Sequence, residues 1–473
     1  MDIINQINSI VGKDNVITDP KGLEPYSKGN ISFIPDRSPI MAVKVGSAEE
    51  LRSILGVARI NKVPVTPFSS GKNGHGASIP TIPGITIDMR KFKTIHFIDE
   101  LTRNAMIDPG VTFEELQKQA KEKGLRVQMP LELPADSSVI SSYIEMSPLY
   151  SWPRYNRDNI LTMETMLASG ELIKIGSAGL PIFNEKPYMP FLGPPAFLNK
   201  VWYSSQGTLG IVTKATIKLK TDYEHKKVVF IPFNAFAETI PVIKEIKRLN
   251  SAVEFFIANS AYLAGMLSED AKNFESLKAS LPAVTAVVVL RGEKERIEYQ
   301  AEDLKDLSEK LNFKIEDSLK GDKDASQKIL DEIDYPMGYE RFKKIKGAYN
   351  VIPFICTAMQ VPMFGFVLGQ MAGAFKYNPN DIGQLLLPVE AGSYHFQYSF
   401  YSDPKNPQDH MLVKKFFEVF SETLIKMGAF FSRPYGEWST KLFSKANAYK
   451  ELIKDFKEVI DPENIMNPGK FDI

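Results

Sequence analysis

VPVTPFSSGKNGHGASIP, residues 63–80, is the stretch on which the fold turns. It opens on VPVTPF, whose β-branched and apolar residues predict a strand. Gly71, Gly74 and Gly76 follow, set among Ser69, Ser70, Lys72, Asn73, His75 and Ala77. Glycine adopts backbone conformations closed to other residues, so such a loop lets successive N–H groups converge on an anion. A pyrophosphate is the natural guest. The spacing is not GxxxxGK[ST], and it is not GxGxxG leading into a helix. A P-loop kinase and a nicotinamide-dinucleotide site are therefore disfavoured. Gly/Ser/Asn loops also make ordinary turns, and the loop alone carries no more than this.

The flanking sequence alternates short strands with helices. PIMAVKVG (39–46) predicts a strand, and Ser47 with Glu50 predicts a capping box at the head of a helix. ITIDM, TIHFIDE and NAMIDPG read as further short strands, and Thr112 with Glu115 caps a second helix. GELIKIG (170–176) and GTLGIVTKATIKLK (207–220) read as hairpin strands. This irregular order predicts α+β, not the βαβ rhythm of a Rossmann domain. A polar segment, TDYEHK (221–226), precedes a second α+β unit with strands VVFIPF, AVEFFIA, AVTAVVVLRG and GSYHFQYSFY. The expected division is 1–222, 223–428 and a C-terminal return over 429–473.

The chain has 473 residues, 44% apolar and 24% charged, with 57 basic and 57 acidic side chains. Two or three domains fit that length. A net charge of zero supplies no global field for nucleic acid or an anionic membrane, and no basic block interleaved with aromatics is present. The single cysteine, Cys356, cannot form an internal disulfide or an iron–sulfur cluster. Electron transfer through such a cluster would need a partner protein. The opening MDIINQINSIVGKDNV lacks a charged start and apolar run, which sets a cytoplasmic expectation. Residues 347–375 carry no charge, but Pro353, Pro362, Asn350, Gln360 and Gln370 interrupt them. They read as a buried or cofactor-covering segment, with monotopic membrane contact or a partner surface as the alternative.

Several motifs, in order, resemble the vanillyl-alcohol oxidase and p-cresol methylhydroxylase superfamily of FAD-linked oxidoreductases. PVTPFSSGKNGHGASIP is similar to its flavin loop, and GITIDMRKF and DPGVTFEELQ to the segments that follow. METMLASGELIKIG resembles a strand–turn–strand of the family, SSQGTLGIVTKATIKL its glycine-rich hairpin, and YGEWSTKL with DPENIMNPGK its closing segments. The NPGK ending is also similar to the glycolate and D-lactate dehydrogenase branch. The resemblance covers about the first 220 residues and the last 45. It implies a two-subdomain FAD-binding domain and an α+β cap with an antiparallel sheet over the flavin. It also implies that Ser69 to Ala77, with Gly207, Gly210 and Ile211, wrap the pyrophosphate. Pro109 and Gly110 then shape a turn beside the nucleotide, and Asn467 and Gly469 close the C-terminal return.

The resemblance also sets expectations for the chemistry. Glu145 falls where phenol-oxidising members place an acid near the flavin, which makes it a candidate base. It could equally be a loop carboxylate. His75 stands near a substrate-binding position, and it resembles a histidine that bonds flavin covalently in berberine-bridge-type relatives. The surrounding loop is of a different kind, so noncovalent FAD is the expectation. His395, among Tyr394, Phe396, Gln397 and Tyr398, is a candidate site wall or a satisfied core histidine. Trp438 and Ser439 replace the Tyr-Arg pair that clamps a phenolate, which disfavours a 4-alkylphenol bound in that way. The expected reaction is oxidation of a small organic alcohol, with 2-hydroxy acids in range and Arg341, Arg433 and Lys441 as carboxylate partners. Electrons would pass to an acceptor protein, with the chain a homo-oligomer or complex subunit. An aryl-alcohol oxidoreductase and an electron-transfer subunit are the other readings.

Overall fold

The computed structural model describes residues 3–30, 33, 35–72, 74–151, 159–179, 198–389 and 392–473. The N-terminal sheet contains β1 (Val16–Ile17), β2 (Met41–Lys44), β3 (Val65–Phe68) and β4 (Ile85–Asp88), in the order β1-β2-β4-β3. The last three are parallel. Helix α1 (Ala48–Ile60) crosses between β2 and β3 and buries Leu51, Ile54, Leu55 and Ala58 against them. Ser47 caps it by accepting the Glu50 N–H, as the sequence suggests. The Glu50 carboxylate reaches back one residue further than a capping box requires, to the Gly46 N–H.

A second sheet contains β5 (Ile95–Asp99), β6 (Asn104–Ile107), β8 (Ile160–Met166), β9 (Leu172–Ile175) and β10 (Ile211–Lys218). A two-residue strand, β7 (Leu125–Arg126), pairs instead with β11 (Lys220–Thr221). The strand–turn–strand expected over METMLASGELIKIG is the hairpin β8–β9, and β10, within 207–220, pairs with the other edge of β8. β8 is buried along its whole length, so it reads as a central strand with a neighbour on both edges. Helix α2 (Phe113–Lys121) starts with a complete capping box between Thr112 and Glu115. It packs Phe113 and Leu116 beneath this sheet.

The third sheet is six-stranded and antiparallel throughout: β12 (His225–Phe233), β13 (Glu254–Asn259), β14 (Val284–Gly292), β15 (Ala348–Thr357), β16 (Gly383–Pro388) and β17 (Ser393–Ser402). Its order is β12-β14-β13-β16-β17-β15. Period-two alternation sorts β17 cleanly. Tyr394, Phe396, Tyr398 and Phe400 join the outer core, while Tyr401 joins the core shared with the second sheet. His395, Gln397 and Ser399 lie on the same inner face as Tyr401 and are buried. The uncharged stretch is neither a span nor a uniform cover. It is the edge strand β15 followed by a separate helix, α4 (Gln360–Ala374), which buries Val361, Phe364, Leu368 and Ala372 on the outer core and turns Met363 and Phe366 to solvent. Among the described residues no helix is long and apolar enough to cross a membrane.

The C-terminal segment returns to the first sheet. Met466 bridges Val65, and the Asn467 N–H donates to the Val65 carbonyl at 2.8 Å. Across the two halves, Glu254 on β13 accepts from Arg126 at 2.6 Å and from Arg291 at 2.8 Å, all three buried. Arg291 also reaches Asp334, which gathers Lys121 and Lys226 at 3.0 Å each.

Candidate active site

A cleft of about 840 Å³ opens where the first two sheets meet. Its floor is the end of β3 and the start of the glycine loop: Pro67, Phe68, Ser69, Ser70 and Gly71. Gly71 has φ +69°, and a Cβ there would lie 2.3 Å from the Phe68 ring, so the close turn admits no side chain. One wall is α3 (Val139–Ile144), a short helix capped by Ser138. Ser137, Ser138, Ser141 and Ser142 line the cleft. Ser141 bonds Ser69 hydroxyl to hydroxyl at 2.6 Å, and the Ser138 N–H donates to Ser70 Oγ at 3.0 Å. The opposite wall is Trp202 and the turn Ser205, Gln206, Gly207 into Gly210, Ile211 and Val212. Gly207 has φ +74°, and a Cβ there would meet Pro67 at 2.4 Å.

The cleft suits a dinucleotide by its own chemistry. Buried Ser137 Oγ, Ser142 Oγ and Trp202 Nε1 line it with no hydrogen-bond partner among the described residues. A folded protein rarely leaves such groups unpaired, so they await a ligand. Asn467 holds the two walls in register, donating to the Gln206 carbonyl at 2.6 Å and the Ala77 carbonyl at 3.1 Å. Met146, Ser204, Gln206 and Asn467 all adopt left-handed φ around the cleft. Non-glycine residues in that region each cost about 1–3 kcal/mol, and such strain concentrates at functional sites.

Next to the cleft five distant segments converge. Glu145 closes α3 and lines the cleft wall. The Tyr435 hydroxyl donates to its Oε2 at 2.6 Å, and the Gln206 backbone N–H also reaches the carboxylate. Burial raises the Glu145 pKa, and Tyr435, Arg433 and Lys470 offset only part of that rise. The His75 ring stacks on Tyr435 with centroids 5.1 Å apart and planes 9° apart. Its Nε2 lies 3.9 Å from Glu132 Oε2. Burial lowers the His75 pKa, so the imidazole is held neutral. Glu132 accepts from Arg433 at 3.0 Å. Burial pushes the Glu132 carboxyl up, but Arg433 and His75 outweigh it and hold it below the usual carboxylate range. Lys470 donates to the Gly76 and Ile79 carbonyls, and burial lowers its pKa to about 8.

The structure brings together part of the expected set. Ser69, Ser70, Gly71, Ala77, Pro109, Gly207, Gly210, Ile211 and Glu145 line the cleft. His75 stands in the carboxylate cluster beyond it. Lys72 pairs with Asp136 at 3.0 Å, and Asn73 lies outside the described residues. Gly74 and Gly76 offer carbonyls to the Asn30 N–H and to Lys470. Gly110 and Gly469 close backbone turns onto Phe92 and Ile473. His395 faces Gln397 Oε1 at 3.3 Å on the inner face of the third sheet. Trp438 belongs mainly to the cap's aromatic core, against Phe417 and Phe431, with its ring 6.2 Å from His75. Of the three expected cations only Arg433 reaches the cluster. Arg341 pairs with Glu332 and Lys441 with Glu422. Sequence reasoning missed Tyr435, Glu132, Gln206, Lys470 and the serines of α3. SSVISSY, spaced at helical i and i+3 or i+4, was the available signal for the serines.

Comparison with known proteins identifies the class. Residues 39–176 match the model of an FAD binding domain. An FAD-linked oxidoreductase of Mycobacterium tuberculosis is 28% identical over 244 residues, 51% of this chain and 50% of that one. The match thus spans about half the length of that relative. The glycolate oxidase subunit of Bacillus subtilis is 23% identical over 96% of this chain and 94% of its own. The crystal structure of p-cresol methylhydroxylase with substrate bound superposes with a TM-score of 0.86 at 17% identity, over all of this chain and 96% of that one. The fold is that of p-cresol methylhydroxylase. The chain carries an FAD-binding domain of the p-cresol methylhydroxylase type, and its cofactor is FAD.

Proposed function

We propose that this protein oxidises the CH–OH group of a small organic alcohol, with Glu145 as the base and electrons leaving to a separate acceptor. The observation that carries the reading is the buried Tyr435–Glu145 hydrogen bond at the wall of the flavin cleft. FAD held by the glycine loop, the α3 serines and the Gly207 turn would supply the hydride acceptor for the carbinol carbon. Glu145, its proton affinity raised by burial, takes the hydroxyl proton on the carboxylate. Tyr435 fixes the orientation of that carboxylate, and neutral His75 holds the Tyr435 ring face to face. Trp438 and its aromatic neighbours keep water from that side.

A glycolate oxidase subunit among the relatives supports the CH–OH class and a place in a multi-subunit assembly. The same likeness keeps 2-hydroxy acids within range. The test is anaerobic mixing of the holoprotein with alcohols while the flavin absorbance is followed. Bleaching by an alcohol is expected. Glu145→Gln should slow it by about 10²–10⁴-fold with FAD still bound. An unchanged rate in that variant removes Glu145 from the base role.

A further inference from the structure

We propose that Glu132 binds a substrate hydroxyl and, with Arg433, restricts the site to uncharged hydroxylated molecules. The inference rests on the alcohol-oxidation reading and names its substrate class. Glu132 is 6% exposed and lies at the junction of the two halves, its carbonyl accepting the Tyr339 N–H at 2.9 Å. One carboxylate oxygen, Oε2, takes the Arg433 guanidinium. The other, Oε1, is buried with no hydrogen-bond partner among the described residues. An ionised carboxylate only accepts, so what satisfies Oε1 is a donor, and a substrate O–H is one. A carboxylate on the substrate would instead meet Oε1 as a like charge.

The wider charge pattern points the same way. The buried ionisable groups pair off: Glu132 with Arg433, and Glu145 with Lys470 through their mutual electrostatic influence. The pairing stays balanced whether the second pair is charged or has exchanged its proton. An anionic substrate would add a negative charge that these two pairs leave unmatched, with no further cation among the described residues of the cluster, and an unmatched buried charge is costly. The surroundings are rich in hydroxyls and amides. Burial raises the pKa of Tyr262, Tyr349 and Tyr435, and the Glu132 charge adds to the rise in each, so these phenols lie within its electrostatic reach. Tyr349 bonds Ser399 at 2.9 Å and accepts from Gln397 at 3.3 Å, and the Tyr262 hydroxyl is buried without a partner among the described residues. Such surroundings match the hydrogen-bonding groups of a diol or a similar neutral polar alcohol.

Matched pairs test this on the holoprotein: ethylene glycol against glycolate, 1,2-propanediol against each lactate enantiomer, benzyl alcohol against mandelate. Anaerobic flavin reduction should favour the neutral member of a reacting pair by roughly tenfold or more. Spectral titration of the oxidised flavin should show the same order of binding. Glu132→Gln keeps the size, removes the charge and leaves Arg433 without its counter-ion. It should weaken the neutral substrate by about ten- to a hundredfold and let oxalate or glycolate perturb the flavin spectrum. FAD content and melting temperature report whether the variant folds. If it does not, Arg433→Met, which leaves Glu132 an uncompensated anion, should weaken carboxylates further and never improve them. Faster reduction or tighter binding of the acid members in the native protein overturns the assignment. So does an unchanged preference in a folded Glu132→Gln variant. If no member of any pair bleaches the flavin, the alcohol-oxidation reading falls, and the titration alone then judges Glu132.

Discussion

Tyr435 and Glu145, 290 residues apart in sequence, share a 2.6 Å hydrogen bond in the buried wall of the cleft between the first two sheets. The phenol is the donor, because burial and the Glu145 charge drive its own pKa far above the ordinary tyrosine value. That bond stabilises the charged form of Glu145 and lowers its pKa against the larger rise from burial. Tyr435→Phe therefore raises the Glu145 pKa further. At a fixed pH less of the base form is present, and flavin reduction slows by about ten- to a hundredfold. Stopped-flow reduction across pH should show a limb that climbs as Glu145 deprotonates, above the usual carboxylate range. In Tyr435→Phe the limb moves to higher pH, and in Glu145→Gln it disappears. A limb that stays in place in Tyr435→Phe contradicts the assignment.

FAD retention depends on groups that the protein alone leaves unpaired. Ser137 and Ser142 present buried hydroxyls to the cleft with no partner among the described residues. Replacing both by alanine costs the apoprotein little, since no protein hydrogen bond is lost. It should weaken FAD several-fold for each hydroxyl the nucleotide engages, at about 0.5–1.5 kcal/mol apiece. The melting temperature should fall for the holoprotein and hold for the apoprotein. Gly207→Val acts by a different route. A β-branched residue at φ +74° with Pro67 at 2.4 Å displaces the turn, and the purified protein should be colourless.

The flavin should separate from the chain. His75 is the residue the resemblance offers as a covalent anchor, yet it does not line the cleft. Its ring is committed to Tyr435, with Nε2 facing Glu132. Acid precipitation should leave FAD in the supernatant. Yellow protein in the pellet that turns colourless in His75→Ala would show the opposite.

The glycine loop was legible because its requirement is local. Close backbone approach at Gly71 and Gly207 needs the residue itself, and the surrounding motif is contiguous. The partners of Glu145 were not legible for the opposite reason. Tyr435, Gln206 and Lys470 reach it only after the chain has folded back from 290, 61 and 325 residues away. Glu132, in the run PLELPADSS, carries no local signal. Its meaning comes from Arg433, 301 residues on. The strands at 170–176 and 207–220 were each recognisable, and so was the β8–β9 turn, but the meeting of β10 with β8 and β6 is a non-local property. The uncharged run 347–375 hid a turn, because an edge strand and an outward helix can be equally free of charge.

The buried ion network should set the acid limit of stability. Burial would raise the Glu254 carboxyl, but Arg126 and Arg291 outweigh it and hold the pKa below the ordinary value. Asp334 is likewise pulled down, against burial, by Arg291, Lys226 and Lys121. A depressed folded-state pKa means the unfolded chain binds protons more readily. The stabilisation is therefore complete above the ordinary carboxylate range near pH 4 and is lost as pH falls below it. Glu254 joins β13 of the cap to Arg126 of β7 on the FAD-binding side, so its loss uncouples the halves as well as exposing two buried guanidinium charges. Glu254→Ala should cost about 3–5 kcal/mol at pH 7, far more than a surface pair. Glu254→Gln keeps the shape, loses the charge and should flatten the acid side of a stability-against-pH curve from urea titrations. A variant that melts like the native protein at pH 7 and keeps the same acid midpoint would show that this network does not carry the coupling.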